Sequence, residues 1–179
     1  MELAGNTIIS YDHMQLHKGN LHTVSLKQAD GTQYADNGDL GMLVDMTGQT
    51  EPIHTLWEVY SGGDAEFSAI ENVTWAASAE AGGGTLTPHN QNRIKGDKTL
   101  TVEFFGYSSN LANTYSTTES DVTLFTSWVP GGTTGQAQGG GGRAAHEWIL
   151  APDKLYVFKL TNRAGSAKDG SISCTFYED

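Results

Sequence analysis

Cysteine occurs once in the 179 residues, at Cys174, so no disulfide can form within the chain. Synthesis and folding in a reducing cytoplasm are therefore expected. Basic residues are also few: 10 Lys and Arg stand against 21 Asp and Glu, for a formal net charge of −11. Phosphate backbones and anionic lipid surfaces repel such a chain, so no direct nucleic-acid partner and no membrane are expected. Basic protein surfaces remain as partners. No apolar run approaches the roughly 18 residues that cross a bilayer. The first ten residues have neither the basic start nor the apolar stretch of a signal peptide.

Catalytic motifs are missing too. There is no phosphate-cradling GxxxxGK[ST] loop and no GxSxG elbow, and the glycines at 139–142 lead into Arg143, Ala144 and Ala145 rather than a dinucleotide-binding helix. His13 and His17 are four residues apart and His22 follows, a spacing that could hold zinc on a helix. The Glu of HExxH is absent, and the three fit an ordinary polar arm. His54, Glu58 and His89 form a partial set for a cupin-type metal site, which would also need an HxH pair. Asp36, Asn37, Gly38 and Asp39 offer oxygen ligands but lack an EF-hand register, and the same residues make tight turns. No spacing singles out a carboxylate pair of the glycosidase kind. Cys174 lies in an alternating segment beside Ile172 and Phe176 and reads as a small buried hydrophobe. No catalytic residue, metal or cofactor is expected.

What the chain does have is short apolar runs punctuated by turns. Proline occurs 4 times and glycine 22 times, a balance that suits many turns rather than long helices. Strands are expected at residues 21–26, 40–46, 53–60, 67–77, 99–105, 121–128, 147–150, 154–160 and 171–177. In the last two, alternate residues face a core while Lys and Ser face outward. Pro152 and Asp153 are expected to start a type I turn. The hydrophobic fraction of 37% and the length are enough for one core but not for two.

The expected fold is all-β, a single jelly-roll or β-sandwich domain over residues 21–179, because several connections are too long for simple hairpins. Residues 1–20 lack a core pattern and read as an N-terminal arm or an edge strand. Residues 131–142 are glycine-rich and read as a long exposed loop.

One ordered set of motifs is more specific. Trp57-Glu58-Val59-Tyr60 is followed by Asn90-Gln91-Asn92-Arg93, then Glu147-Trp148-Ile149-Leu150-Ala151-Pro152, then Tyr156 to Asn162 and Phe176-Tyr177-Glu178. Over residues 50–179 this order resembles small auxiliary virion proteins of tailed bacteriophages, the capsid decoration or cement proteins. The resemblance implies a β-sandwich or jelly-roll body, no catalytic residues, a homotrimer, the major capsid protein as partner and a place on the capsid surface. The arm and the glycine loop are then the candidate partner contacts, through His13, His17, Gly131, Gly135 and Gly140. The alternative is a head-fibre or tail receptor-binding module, in which an exposed Trp75 or Trp128 would stack on a sugar.

Overall fold

The chain closes on itself as a nested ribbon. In the computed structural model, which describes residues 11–28, 33–74, 84–92, 94, 100–108, 122–131 and 147–178 (11–13 as backbone only), the first four long strands pair with the last four in reverse order. β1 (Leu21–Gln28) pairs with β11 (Gly170–Glu178), and β2 (Asp39–Asp45) with β10 (Leu155–Asn162). β3 (Ile53–Ser61) pairs with β9 (Trp148–Leu150), and β4 (Ala65–Glu71) with β8 (Val122–Val129). All four pairs are antiparallel. Wrapped around a common core, this ribbon is an eight-stranded jelly roll, as the long connections led one to expect.

Among the described residues, three further strands come from the stretch between β4 and β8: β5 (Thr85–Leu86), β6 (His89–Asn90) and β7 (Glu103–Ser108). They extend the far edges, giving a five-stranded sheet β6-β1-β11-β3-β9 and a six-stranded sheet β5-β7-β2-β10-β4-β8. Two expected strands shift. The one placed at 67–77 starts at Ala65 and ends at Glu71, where Asn72 takes φ 63. The one placed at 99–105 runs instead from Glu103 to Ser108.

The core lies between the sheets, where period-two side chains converge. Val24, Trp57, Val59, Ile172, Cys174 and Phe176 from one sheet meet Leu40, Met42, Phe67, Phe104, Phe158 and Leu160 from the other. Trp57 stacks on Phe158 with ring centroids 3.7 Å apart. Each large side chain removed from water contributes about 1.5–3 kcal/mol, so this layer is the main source of stability.

The six-stranded sheet also buries its outer face. Phe105, Leu43, Val157 and Ile70 lie side by side on four adjacent strands, with Tyr107 and Val73 beside them. Tyr107 can lie flat on the sheet because position 41 is glycine: a Cβ there would sit 2.1 Å from its ring. Burial on both faces explains why β2 is almost uninterruptedly apolar.

Within residues 1–20, Tyr11–Lys18 forms a helix, α1, that the sequence pattern does not announce. It ends in a Schellman turn: Asn20 N–H donates to Gln15 O at 3.0 Å and Gly19 N–H to Leu16 O at 3.1 Å, with Gly19 at φ 79. Pro152 and Asp153 also turn differently from expectation. Asp153 adopts φ 58 rather than the negative φ of a type I turn, and its N–H donates to Met46 O at 2.9 Å. Among the described residues no helix is long and apolar enough to cross a membrane.

Candidate functional site

Two surfaces and one side-chain cluster stand out. The first surface is the edge at β8, the last strand of the six-stranded sheet, which among the described residues pairs only with β4. The register shifts between Ala69 and Ile70, so Phe125 opposes Ala69, Thr123 opposes Ile70, and Leu124 is the extra residue of a bulge. Leu124 and Phe125 both pack toward the core as a result. Phe125 meets Phe67 edge-on at 5.4 Å and stacks on Trp148 of β9 at 5.0 Å, which joins the two sheets along this side. Beyond the bulge, Trp128 stands cross-strand from Glu66 and is 56% exposed. Val122, at the other end of the strand, is exposed as well. An exposed indole on an outer strand is a ready contact for another macromolecule.

The second surface is the outer face of the five-stranded sheet. Burial alternates along β3, so Trp57 and Val59 face the core while His54, Leu56, Glu58 and Tyr60 face outward. Register then sets three rows across β1, β11 and β3: Thr23–Thr175–Leu56, Ser25–Ser173–Glu58 and Lys27–Ser171–Tyr60. The Thr23 and Thr175 hydroxyls share a hydrogen bond at 3.3 Å, and the Gln91 amide donates to both. Unlike the sealed outer face of the other sheet, this one is open: Ser25, Lys27 and Glu58 are exposed and the rest are half-buried.

At one end of that face, His54 Nδ1 donates to Glu147 Oε1 at 2.7 Å, and Tyr177 OH donates to the same oxygen. The His54 ring lies on Tyr177 with centroids 4.7 Å apart. A His–carboxylate–phenol set can move a proton, but here it also ties Glu147, just ahead of β9, to the centre of the sheet. The residues are 93 positions apart, so nothing local in the sequence signals the pair.

The residues weighed for metal chemistry are not brought together. His54 and Glu58 share a face but lie four residues apart along β3, about 13 Å at strand spacing. His89 sits on β6, beyond both β1 and β11. His22 faces the core and stacks on Phe176 at 5.5 Å, whereas His17 is exposed on the last turn of α1; the His13 side chain lies outside the described residues. Among the described residues no group of three or more His, Cys, Asp or Glu could hold a metal ion. Asp36 and Asn37 serve a turn: Asp36 accepts from Gly165 N–H at 2.9 Å, and Asn37, at φ 56, accepts from Arg163 at 3.0 Å. Cys174 is fully buried, and burial pushes its thiol well up, away from nucleophilic use.

Of the expected glycine contacts, Gly131 has a structural role. Its N–H donates to Asp64 Oδ1 at 2.8 Å, and a Cβ at this position would sit 2.2 Å from the Gly63 carbonyl carbon. Only glycine lets the end of β8 cross the β3–β4 turn so closely. Gly135 and Gly140 lie outside the described residues. Sequence reasoning named Trp128 but missed the hydroxyl rows, because parity gives the face of each residue while the partner on the next strand depends on register.

No family model, no curated protein and no solved structure matches the chain.

Proposed function

We propose that this protein is a capsid decoration protein of a tailed bacteriophage, a non-catalytic component that binds the major capsid protein lattice and reinforces it. The observation that carries this reading is Trp128, left 56% exposed on the outermost strand of an otherwise cross-tied jelly roll. Tryptophan is among the side chains that dominate protein–protein binding energy. An outer strand adds backbone donors and acceptors to the same contact. The net charge of −11 suits a basic docking surface and disfavours the packaged DNA beneath it.

The motif residues behind the phage resemblance have scaffold roles in this fold: Trp57 and Tyr156 are core, Asn90 and Asn92 hold α1, and Trp148 braces β8. A rigid body with one modest docking edge fits a lattice, where many weak contacts add up. The test is the copy number in purified virions together with co-sedimentation of the purified chain on undecorated capsids. A copy number near that of the major capsid protein is expected, with Trp128→Ala weakening binding at least tenfold at unchanged melting temperature. Absence from virions would sink the proposal, and unchanged binding by Trp128→Ala would move the contact away from β8.

A further inference from the structure

We infer that the open outer face of the five-stranded sheet binds a short neutral oligosaccharide. The inference stands apart from the capsid reading, because it uses the opposite sheet from β8 and none of the same side chains. The three rows Thr23–Thr175–Leu56, Ser25–Ser173–Glu58 and Lys27–Ser171–Tyr60 cover about 13 Å along the strands and about 10 Å across them. Six of the nine side chains carry a hydroxyl, five of them Ser or Thr and the sixth the Tyr60 phenol, each able both to donate and to accept, as sugar hydroxyls do. Leu56 and the Tyr60 ring supply apolar surface for the C–H faces of a sugar.

The hydrogen-bonding capacity of this face is largely unspent. Around β10, by contrast, outward polar side chains are tied to one another: Lys154 to Glu71, Lys159 and Thr161 to Asp39, Arg163 to Asn37 and Glu66. Here, Ser25, Ser171, Ser173, Glu58 and Tyr60 make no side-chain hydrogen bond among the described residues, whereas the Gln91 amide holds Thr23 and Thr175 in place at one end.

The charge and composition of the face select the occupant. Within the three rows, among the described residues, Lys27 and Glu58 are the charged side chains and offset each other, while Glu147 at one end of the face is engaged by His54 and Tyr177, so the rows match neither a polyanion nor a polycation. A nucleic acid would need a cluster of cations, whereas Lys27 is the single cation in the three rows. A protein partner, a second copy included, would draw on Trp, Arg or Met at the centre, where Ser and Thr stand instead. An uncharged, hydroxyl-bearing ligand satisfies the donors and acceptors without burying a charge.

The test is titration of the full-length, 15N-labelled chain with neutral hexasaccharides of glucose (α- and β-linked), mannose and N-acetylglucosamine, followed by amide chemical shifts. At least one sugar is expected to shift amides within 23–27, 56–60 and 171–175, and Ser173→Val, on an outward position that leaves the core intact, is expected to weaken that sugar about tenfold. The wild-type map decides the matter even if the variant folds poorly. Silence across all four sugars overturns the inference. So do shifts centred on Trp128, which place the sugar at the β8 edge, and shifts that grow with protein concentration alone, which assign the face to a second copy.

Discussion

Asn92 Nδ2 donates to Leu16 O at 3.0 Å, so a side chain just past β6 closes the C-terminal end of α1. The same amide reaches His17 O at 3.4 Å, and Asn90 Nδ2 donates to Gly19 O at 2.8 Å. Two asparagines thus add side-chain donors at the helix end, beside the Gly19 N–H that already reaches Leu16 O, and they join residues 11–20 to the sandwich.

Asn92→Ala should therefore cost about 0.5–1.5 kcal/mol, the net worth of a typical hydrogen bond, since Leu16 O keeps its bond from Gly19 N–H. Amide hydrogens in α1 should exchange faster while those of β10 and β11 keep their protection. Hydrogen-exchange mass spectrometry reads both. Unchanged exchange in α1 would mean that Gln15 and the Schellman turn alone hold the helix.

Gly131→Ala tests whether the glycine after β8 is a structural crossing point or a free loop position. The added methyl would meet Gly63 backbone at 2.2 Å, and backbone on both sides leaves little room to yield. The expected cost is about 1–3 kcal/mol, in the range of overpacking. Gly62→Ala is the control, since its Cβ would find neighbours no nearer than 3.5 Å. Urea midpoints should fall for the first and stay close to wild type for the second.

These positions also show how far the sequence can be read. The parity of Ile172, Cys174 and Phe176 was legible because β11 is central and its two faces differ sharply, one core and one hydroxyl. In β2 the parity disappears, because Leu43 is buried against Phe105 and Val157 on the outer face while Leu40 and Met42 are buried inside. Helix α1 carries little apolar pattern of its own and is held by side chains about seventy-five positions away. The hydroxyl rows and the His54–Glu147 pair depend on the register of strands far apart in the chain. Composition and alternation fix which way a residue faces, but the partner it meets there comes from the nesting of the ribbon.

Cys174 should be silent to thiol reagents in the folded protein. The side chain is sealed between Ile172 and Phe176 rows, and burial raises its thiol well above the ordinary range. Reaction with a chromogenic disulfide is expected only at the rate of opening, and stoichiometrically in denaturant. Rapid native-state labelling would show that the sheet opens locally around β11. Cys174→Ser should cost about 1–3 kcal/mol, because it places a hydroxyl in an apolar layer.

Alkaline pH should destabilise the protein before any thiol or lysine effect is invoked. Tyr156 is buried, and burial pushes its phenol up to about 12; the donated hydrogen bond from Ala151 N–H opposes the shift, and Glu71 adds to it. Burial raises Tyr34 as well, against a hydrogen bond with Ser61 at 2.7 Å. In the unfolded chain both phenols ionise near pH 10. Above that pH the unfolded state has released protons that the folded state still holds, so stability falls as pH rises. For Tyr156 the contribution is complete below pH 10 and is lost through about pH 12, at up to about 1.4 kcal/mol per pH unit, and the raised Tyr34 phenol adds a loss of the same sign above pH 10. Urea midpoints measured from pH 9 to pH 12 should decline across that window, and Tyr156→Phe should flatten the decline while lowering stability at neutral pH through the lost bond to Ala151. A flat profile in the wild-type protein would mean that the Tyr156 phenol reaches water at the β9–β10 turn.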